Sequence, residues 1–492
     1  MTLRLPSTQD IVLGTTVPLL PVPQFRLSPK DCEYHATIWG RTGSGKSKLL
    51  QSIFLQHLNK NHGVALIEPH HDLSFDTLTY LVSKGFFDDE KAYERLVYLD
   101  WGNGSYVPFN VLAGNGEPHT IALNALEAML RVWPELNEAP MFQTLFLASM
   151  MALTANKLPT TYLYQLLSDI SFRSACLEKV ADPLVHQTFE SFDKLGREQV
   201  QSAGSTLRRA FLLSFSPYAR LTLGQPENWL PFRKWMDQGK SFIINLGNIN
   251  DAESRKLIGA MLMVQIEQAA LSRTDIPPHD RTPFTLLVDE WPSFAAQDKT
   301  IGTILSQTRK FNLRLYLAAQ SLSQVSSERL AGALENCRLT IAFGLGRDSA
   351  EIQSKHIGKA DPLKVKEQAL TETQHNLFSS ILEQFEGWTS ELQNLPPRYA
   401  YVKLHDQEAV KIKTLTVPEQ EVGDEELEEV LEEYKNRYQR NKVEAEEAIA
   451  RIPMPLTQRT QPATQDTPSQ PAYTNLFRRR KNPRGQGEKL PN

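Results

Sequence analysis

Gly40-Arg41-Thr42-Gly43-Ser44-Gly45-Lys46-Ser47 is the stretch on which the reading of this chain turns. It has the form GxxxxGK[ST], follows an apolar run at 34–39 and opens a helical pattern over 47–58. Glycines at such places let backbone N–H groups wrap phosphates, and the helix behind adds partial positive charge from its N-terminus. In that context Lys46 reaches the β- and γ-phosphates of ATP, and the Ser47 hydroxyl ligates Mg²⁺. The plainer alternative is a glycine-rich turn with no nucleotide. Strand, loop and helix standing in the required order argue against it.

Outward from the P-loop, short β-rich apolar runs recur at 64–68, 95–100, 242–246, 284–290, 313–320, 339–345 and 399–404. Several are nearly continuous in Val, Ile and Leu, as strands buried on both faces of a mostly parallel sheet are. Helical stretches, among them 47–59, 254–270 and 303–310, separate most of them, which predicts an α/β layered domain. Between 114 and 231 the strand-like runs stop. Helix-period apolar residues take over at 122–133, 141–155 and 161–167, so this part is expected to be an all-helical insertion.

The resulting division is a lead-in at 1–33, core at 34–113, insertion at 114–231 and core again at 232–418. A charged amphipathic helix follows at 419–452, its 424–451 stretch carrying Leu427, Val430, Leu431, Tyr434 and Tyr438 on one face. A basic, Pro- and Gln-rich tail at 453–492 is expected to be disordered.

The 492 residues are 41% hydrophobic and 22% charged, an ordinary globular balance. A net charge of −4 excludes a bulk polycation, so any DNA contact must be local, in a groove or a ring's channel. Three cysteines without CxxC spacing fit a reducing cytosol and neither a disulfide framework nor a zinc site. No segment approaches the ~20 apolar residues of a membrane span. Work at the inner face of a membrane would therefore need recruitment by something else.

Phosphate binding is half of an ATPase. The run at 284–288 ends in Asp289 and Glu290. Asp289 suits Mg²⁺ held through its waters, and Glu290 suits a base that polarises the attacking water. The run at 313–320 ends in Gln320, whose amide is placed to sense the γ-phosphate if the two strands are neighbours. Arg309 is a candidate arginine finger for a neighbouring subunit's nucleotide, or else a plain surface cation; Lys310 and Arg347 are the fallbacks. Cations gather at Lys194, Arg197, Arg208, Arg209 and Arg220, and at Lys355, Lys359, Lys364 and Lys366. They are DNA-contact candidates or solvated faces.

Taken with Gly63 to Leu73, Val288-Asp289-Glu290, Arg309 through Gln320 and Pro396-Pro397-Arg398-Tyr399-Ala400, the P-loop resembles that of the FtsK–HerA superfamily. The likeness extends over 11–417 and is nearest to the soluble motor part of type IV secretion coupling proteins, whose all-helical domain the insertion resembles. The resemblance implies a RecA-like core, a hexameric ring with ATP and Mg²⁺ at subunit interfaces, DNA as the moved substrate, and a secretion-channel or relaxase partner. Two alternatives stay open: a secretion ATPase acting on protein subunits, and a HerA-like nucleotide-gated scaffold or defence component. One departure stands out. Where the family reads Asp-Pro-His-Gly-Asp, this chain has Glu68 and His71 in place of the first Asp and the Gly. A side chain at a glycine position is averse to positive φ, so Glu68 and His70 carry little weight as site residues. His70 and His71 lack the further ligands a metal would need.

Overall fold

The computed structural model describes residues 8–18, 23–102, 104–114, 116–195, 215–294, 305, 307–322, 337–367 and 377–455. The expectations for the tail from 456 onward, for Arg197, Arg208 and Arg209, and for the start of the helix at 303–310 lie outside them.

An eleven-stranded sheet runs, edge to edge, Gln24–Leu27, Ile11–Thr16, Val410–Thr414, Tyr399–Leu404, Leu339–Ala342, Ala36–Trp39, Leu313–Ala319, Phe284–Val288, Gly63–Glu68, Ser241–Asn245 and Leu96–Asp100. From Leu339–Ala342 to Leu96–Asp100 every pairing is parallel. The four strands beyond Leu339–Ala342 pair antiparallel. The α/β class with a mostly parallel sheet stands. Ala36–Trp39, Gly63–Glu68, Ser241–Asn245 and Phe284–Val288 are buried at every position, which is why their sequences are continuous in apolar residues.

Among the described residues, three strands of this sheet escaped the sequence pattern: Ile11–Thr16, Gln24–Leu27 and Val410–Thr414. Gly14 reads as a breaker, yet the strand needs it. A Cβ there would stand 2.2 Å from the carbonyl oxygen of Lys413 on the paired strand.

One face of the sheet carries the P-loop helix Lys46–Asn59 and the helix Asp72–Ser83. The other face carries Ala252–Leu271, and the insertion packs over it in one continuous core. Proline opens the insertion helices Pro118–Val132, Pro140–Ala155, Pro183–Asp193 and Pro217–Leu223, where its missing N–H costs no helical bond. A buried ion pair ties insertion to core: Arg131 Nη2 is 2.6 Å from Glu267 Oε2, with 0% and 6% of the two side chains exposed. Glu127, exposed on one side, bonds the same guanidinium at 2.6 Å. Removing the buried carboxylate leaves a buried cation short of its partner. We expect Glu267→Ala to lose about 3–5 kcal/mol of unfolding free energy, read from a urea titration; a loss under about 1 kcal/mol would show the tie to be dispensable.

The charged C-terminal helix is not one helix. Asp424–Tyr438 ends, Arg440–Asn441 pairs antiparallel with Ser105–Tyr106, and a second helix runs Lys442–Ala450. Asn441 causes the break. Its side chain accepts the Glu444 N–H while Glu444 reaches back to the Asn441 N–H, a capping box that starts a new helix. The first helix lies on its own subunit: Val430 and Tyr434 are buried, and the Tyr434 hydroxyl donates to the Leu96 carbonyl at 2.9 Å. It covers the edge strand Leu96–Asp100, whose free side would otherwise invite pairing.

Candidate functional site

The carboxyl ends of neighbouring parallel strands put Gly40, Gln320, Asp289, Glu68 and Asn245 in one row. The strand ending in Gln320 lies between the P-loop strand and the Asp289 strand, as its assigned role needs. The P-loop is held from both sides. Arg41 N–H donates to the Gly344 carbonyl at 2.9 Å, and Arg398 N–H donates to the Ser44 carbonyl at 2.7 Å. Gly43 (φ 75°) and Gly45 (φ 111°) supply the left-handed turns. A Cβ at Gly45 would also come 3.3 Å from Arg398 Cα, so the glycine is required twice. Arg41 and Thr42 are exposed at the loop's tip, whereas Ser44 is buried and its Oγ finds no partner among the described residues.

Lys46 is 6% exposed, and its Nζ donates to the Gly40 carbonyl at 2.6 Å and stands 3.9 Å from Glu290 Oε1. Burial pulls its pKa down; Asp289 and then Glu290 oppose this. Burial pushes Asp289 up against the pull of Lys46, and the Ser47 hydroxyl bonds its carboxylate. Burial, then the Asp289 charge, pushes Glu290 up, while Lys46 and a hydrogen bond from Gln320 hold it down. Two buried carboxylates thus face one ammonium. The net negative charge beside the Ser47 hydroxyl fits Mg²⁺, and the unpartnered Ser44 hydroxyl, the Lys46 ammonium and the loop N–H groups fit phosphates. Glu290 sits at φ 45° and ψ 46°, a left-handed conformation unusual outside glycine.

The departure at 68–71 is accommodated by its surroundings. His71 takes φ 83°, a positive value that favours glycine. Its surroundings fit that conformation: Asn245 Nδ2 donates to His71 Nδ1 at 2.7 Å, the ring lies 5.0 Å from Phe75, and Gly247 leaves room for the His71 backbone, since a Cβ there would stand 2.3 Å from His71 N. Glu68 accepts the Leu73 N–H at 2.9 Å and the Ser74 N–H, closing the start of helix Asp72–Ser83. Burial pushes the Glu68 carboxyl up to about 7 despite those bonds. Arg255 fixes the loop's other end through the Pro69 carbonyl at 3.0 Å. Asn245, Arg255 and the Arg398 backbone were not legible as site residues, because each acts only through a partner far away in sequence. His70, exposed, faces both carboxylates. Among the described residues no group of three His, Cys, Asp or Glu is placed to hold a metal on its own.

Arg309 is not beside this site. Its turn, Thr308–Phe311, precedes the strand Leu313–Ala319 and so lies at the opposite end of the sheet from Lys46. The fallback Arg347 is held by Glu386 through two bonds, at 2.5 and 2.8 Å. Of the candidate DNA contacts, Lys359 is paired with Glu408 at 2.8 Å and Lys366 with Glu383 at 2.7 Å. Arg220 stands 4.0 Å from Glu446. Among the described residues no helix is long and apolar enough to cross a membrane.

Residues 283–393 match the family described as the TraM recognition site of TraD and TraG. Among solved structures, the chain is similar to the bacterial conjugative coupling protein TrwBdeltaN70 in an unbound form: 18% identity, 85% of this chain and 92% of that one, TM-score 0.58. It is similar to the plasmid coupling protein TrwB in complex with ADP and Mg²⁺, with the same identity and coverage and a TM-score of 0.55. VirB4 of Thermoanaerobacter pseudethanolicus matches at 13% identity over 85% of this chain and 99% of that one, TM-score 0.52. No curated protein matches the chain. At these identities the likeness is one of fold, and that fold is the RecA-like P-loop ATPase.

Proposed function

We propose, proceeding from its likeness to the conjugative coupling proteins, that this chain is a Mg²⁺-dependent ATPase that assembles as a ring and pumps DNA. The observation that carries the reading is the buried set Lys46, Asp289 and Glu290 with Gln320, gathered beyond the carboxyl ends of three adjacent parallel strands. The matched coupling-protein structure that holds ADP and Mg²⁺ supports the choice of ligand.

Each residue has a task. Lys46 exchanges the Gly40 carbonyl for the β- and γ-phosphates. Ser47 and Asp289 would hold the Mg²⁺, which when bound offsets phosphate charge. Glu290 takes a proton from the attacking water; the water oxygen bonds the γ-phosphorus as the bond to the β-phosphate oxygen breaks, leaving ADP and phosphate. Its raised pKa makes it a stronger base than an exposed glutamate, and Gln320 fixes its carboxylate.

The test is ATP turnover of the full chain with and without DNA. We expect DNA to raise turnover. Turnover indifferent to DNA, with ATP-dependent complex formation, would instead favour the scaffold reading. The domain divisions given above and recruitment to a membrane by a partner belong to the same proposal.

A further inference from the structure

The end of the sheet away from the P-loop carries a second organised group of cations. The guanidinium carbon of Arg309 lies 4.2 Å from the centre of the Tyr34 ring, and that of Arg338 lies 4.7 Å from the same centre. His405 meets the ring edge-on at 4.4 Å. Tyr34 is 8% exposed; both arginines are exposed. Arg338 and Tyr34 also line a cavity of about 660 Å³. Among the described residues neither guanidinium is ion-paired. Two guanidiniums on one ring repel each other; Asp31 and Asp406 line the same cavity without an ion pair to either among the described residues, and an arriving anion relieves that repulsion more directly.

The backbone of this group is anchored too. His35 Nδ1 accepts the Leu315 N–H at 3.0 Å, which leaves Nε2 protonated to donate to the Leu305 carbonyl at 2.9 Å. Burial holds the ring neutral, its pKa pulled down to about 4. Residues 34 and 35, directly before the P-loop strand, therefore hold both the side chain and the flanking backbone of the Arg309 turn.

We propose that Tyr34 is a positioning residue that presents Arg309 and Arg338 together to the phosphates bound by a second copy of this chain. The proposal rests on the ring reading and adds to it the second arginine and the platform. A nucleotide of the same subunit is excluded as the target, because strands Ala36–Trp39 and Leu313–Ala319 run the whole distance between Tyr34 and the P-loop. An arginine pair and a phosphate loop at opposite ends of one sheet suit a head-to-tail contact that closes into a ring.

The test uses full-length variants, each alone and mixed with Lys46→Ala, with ATP affinity followed by a non-hydrolysable analogue. Arg338→Ala should lose turnover by on the order of 10²-fold at unchanged affinity. Mixing should restore part of it, because one class of interface then pairs an intact P-loop with an intact arginine pair. Tyr34→Leu should lose turnover and be restored by mixing in the same way, while Tyr34→Phe keeps the platform and the activity. A merely misfolded Tyr34→Leu subunit would bring a damaged P-loop and gain nothing from mixing, which would overturn the positioning role.

Wild-type turnover in Arg338→Ala, or a loss that mixing leaves untouched while Arg309→Ala is restored, would overturn this inference and leave the ring standing. If mixing restores neither, the ring reading itself falls. If Arg338→Ala loses only the stimulation by DNA, the pair serves DNA and the inference is overturned.

Discussion

Replacing Lys46 with alanine should take ATP turnover to background while the protein remains folded. Among the described residues Lys46 is the one cation buried beside Asp289 and Glu290, and its amine already rests 2.6 Å from a P-loop carbonyl that phosphates would replace. Without it, the phosphates lose their charge partner and the two carboxylates lose theirs. Both carboxyls then titrate still higher than they do now, where burial already raises them. The fold does not depend on that amine, because helix Lys46–Asn59 is held by a run of buried apolar residues from Leu49 to Leu58. Turnover and analogue binding, with a melting curve to confirm folding, decide the matter. Wild-type turnover in a folded Lys46→Ala protein would remove the whole assignment.

Glu290→Gln should behave differently: ATP binds, and turnover falls by about 10²–10⁴-fold. The amide keeps the size and can still meet Gln320, but it cannot take a proton. It also ends the repulsion with Asp289 that raises the Glu290 pKa, so the variant should melt no lower than wild type. In wild type, turnover should rise with pH through the Glu290 pKa. The acid limb of the profile should therefore lie above the ordinary glutamate range, and Glu290→Gln should lack it. If the variant fails to bind nucleotide, Glu290 holds the site's shape instead.

Much of this was readable before the fold was known, because the signals are local. A P-loop needs its glycines, lysine and hydroxyl within eight residues, and a strand buried on both faces announces itself by composition. Gln320 is a middle case: the end of its strand was legible, its place between the strands of Gly40 and Asp289 was not. Pairing order depends on which distant segments meet, and no spacing within the strand records it. The same holds for the antiparallel edge, where Gly14 looks like a breaker until Lys413 is beside it. His71 shows the converse limit. Its residue type argues against positive φ, and the Asn245 hydrogen bond, the Phe75 ring and the space left by Gly247 outweigh that preference. The single helix expected over 424–451 followed its apolar stripe, and the capping box at Asn441 that starts a new helix was not read.

The contact between Arg398 and the P-loop makes a mechanical piece of what composition divides. Arg398 bonds the Ser44 carbonyl through its backbone, and its own carbonyl accepts the Thr414 N–H at 2.9 Å. Its side chain reaches the Thr414 carbonyl at 3.0 Å. The paired strands Tyr399–Leu404 and Val410–Thr414 therefore sit on the phosphate loop like the long arm of a lever on its fulcrum. When phosphates reshape the loop, Ser44 must either release the 2.7 Å bond or carry Arg398 along. In the second case the change at the nucleotide is passed to the antiparallel rim of the subunit.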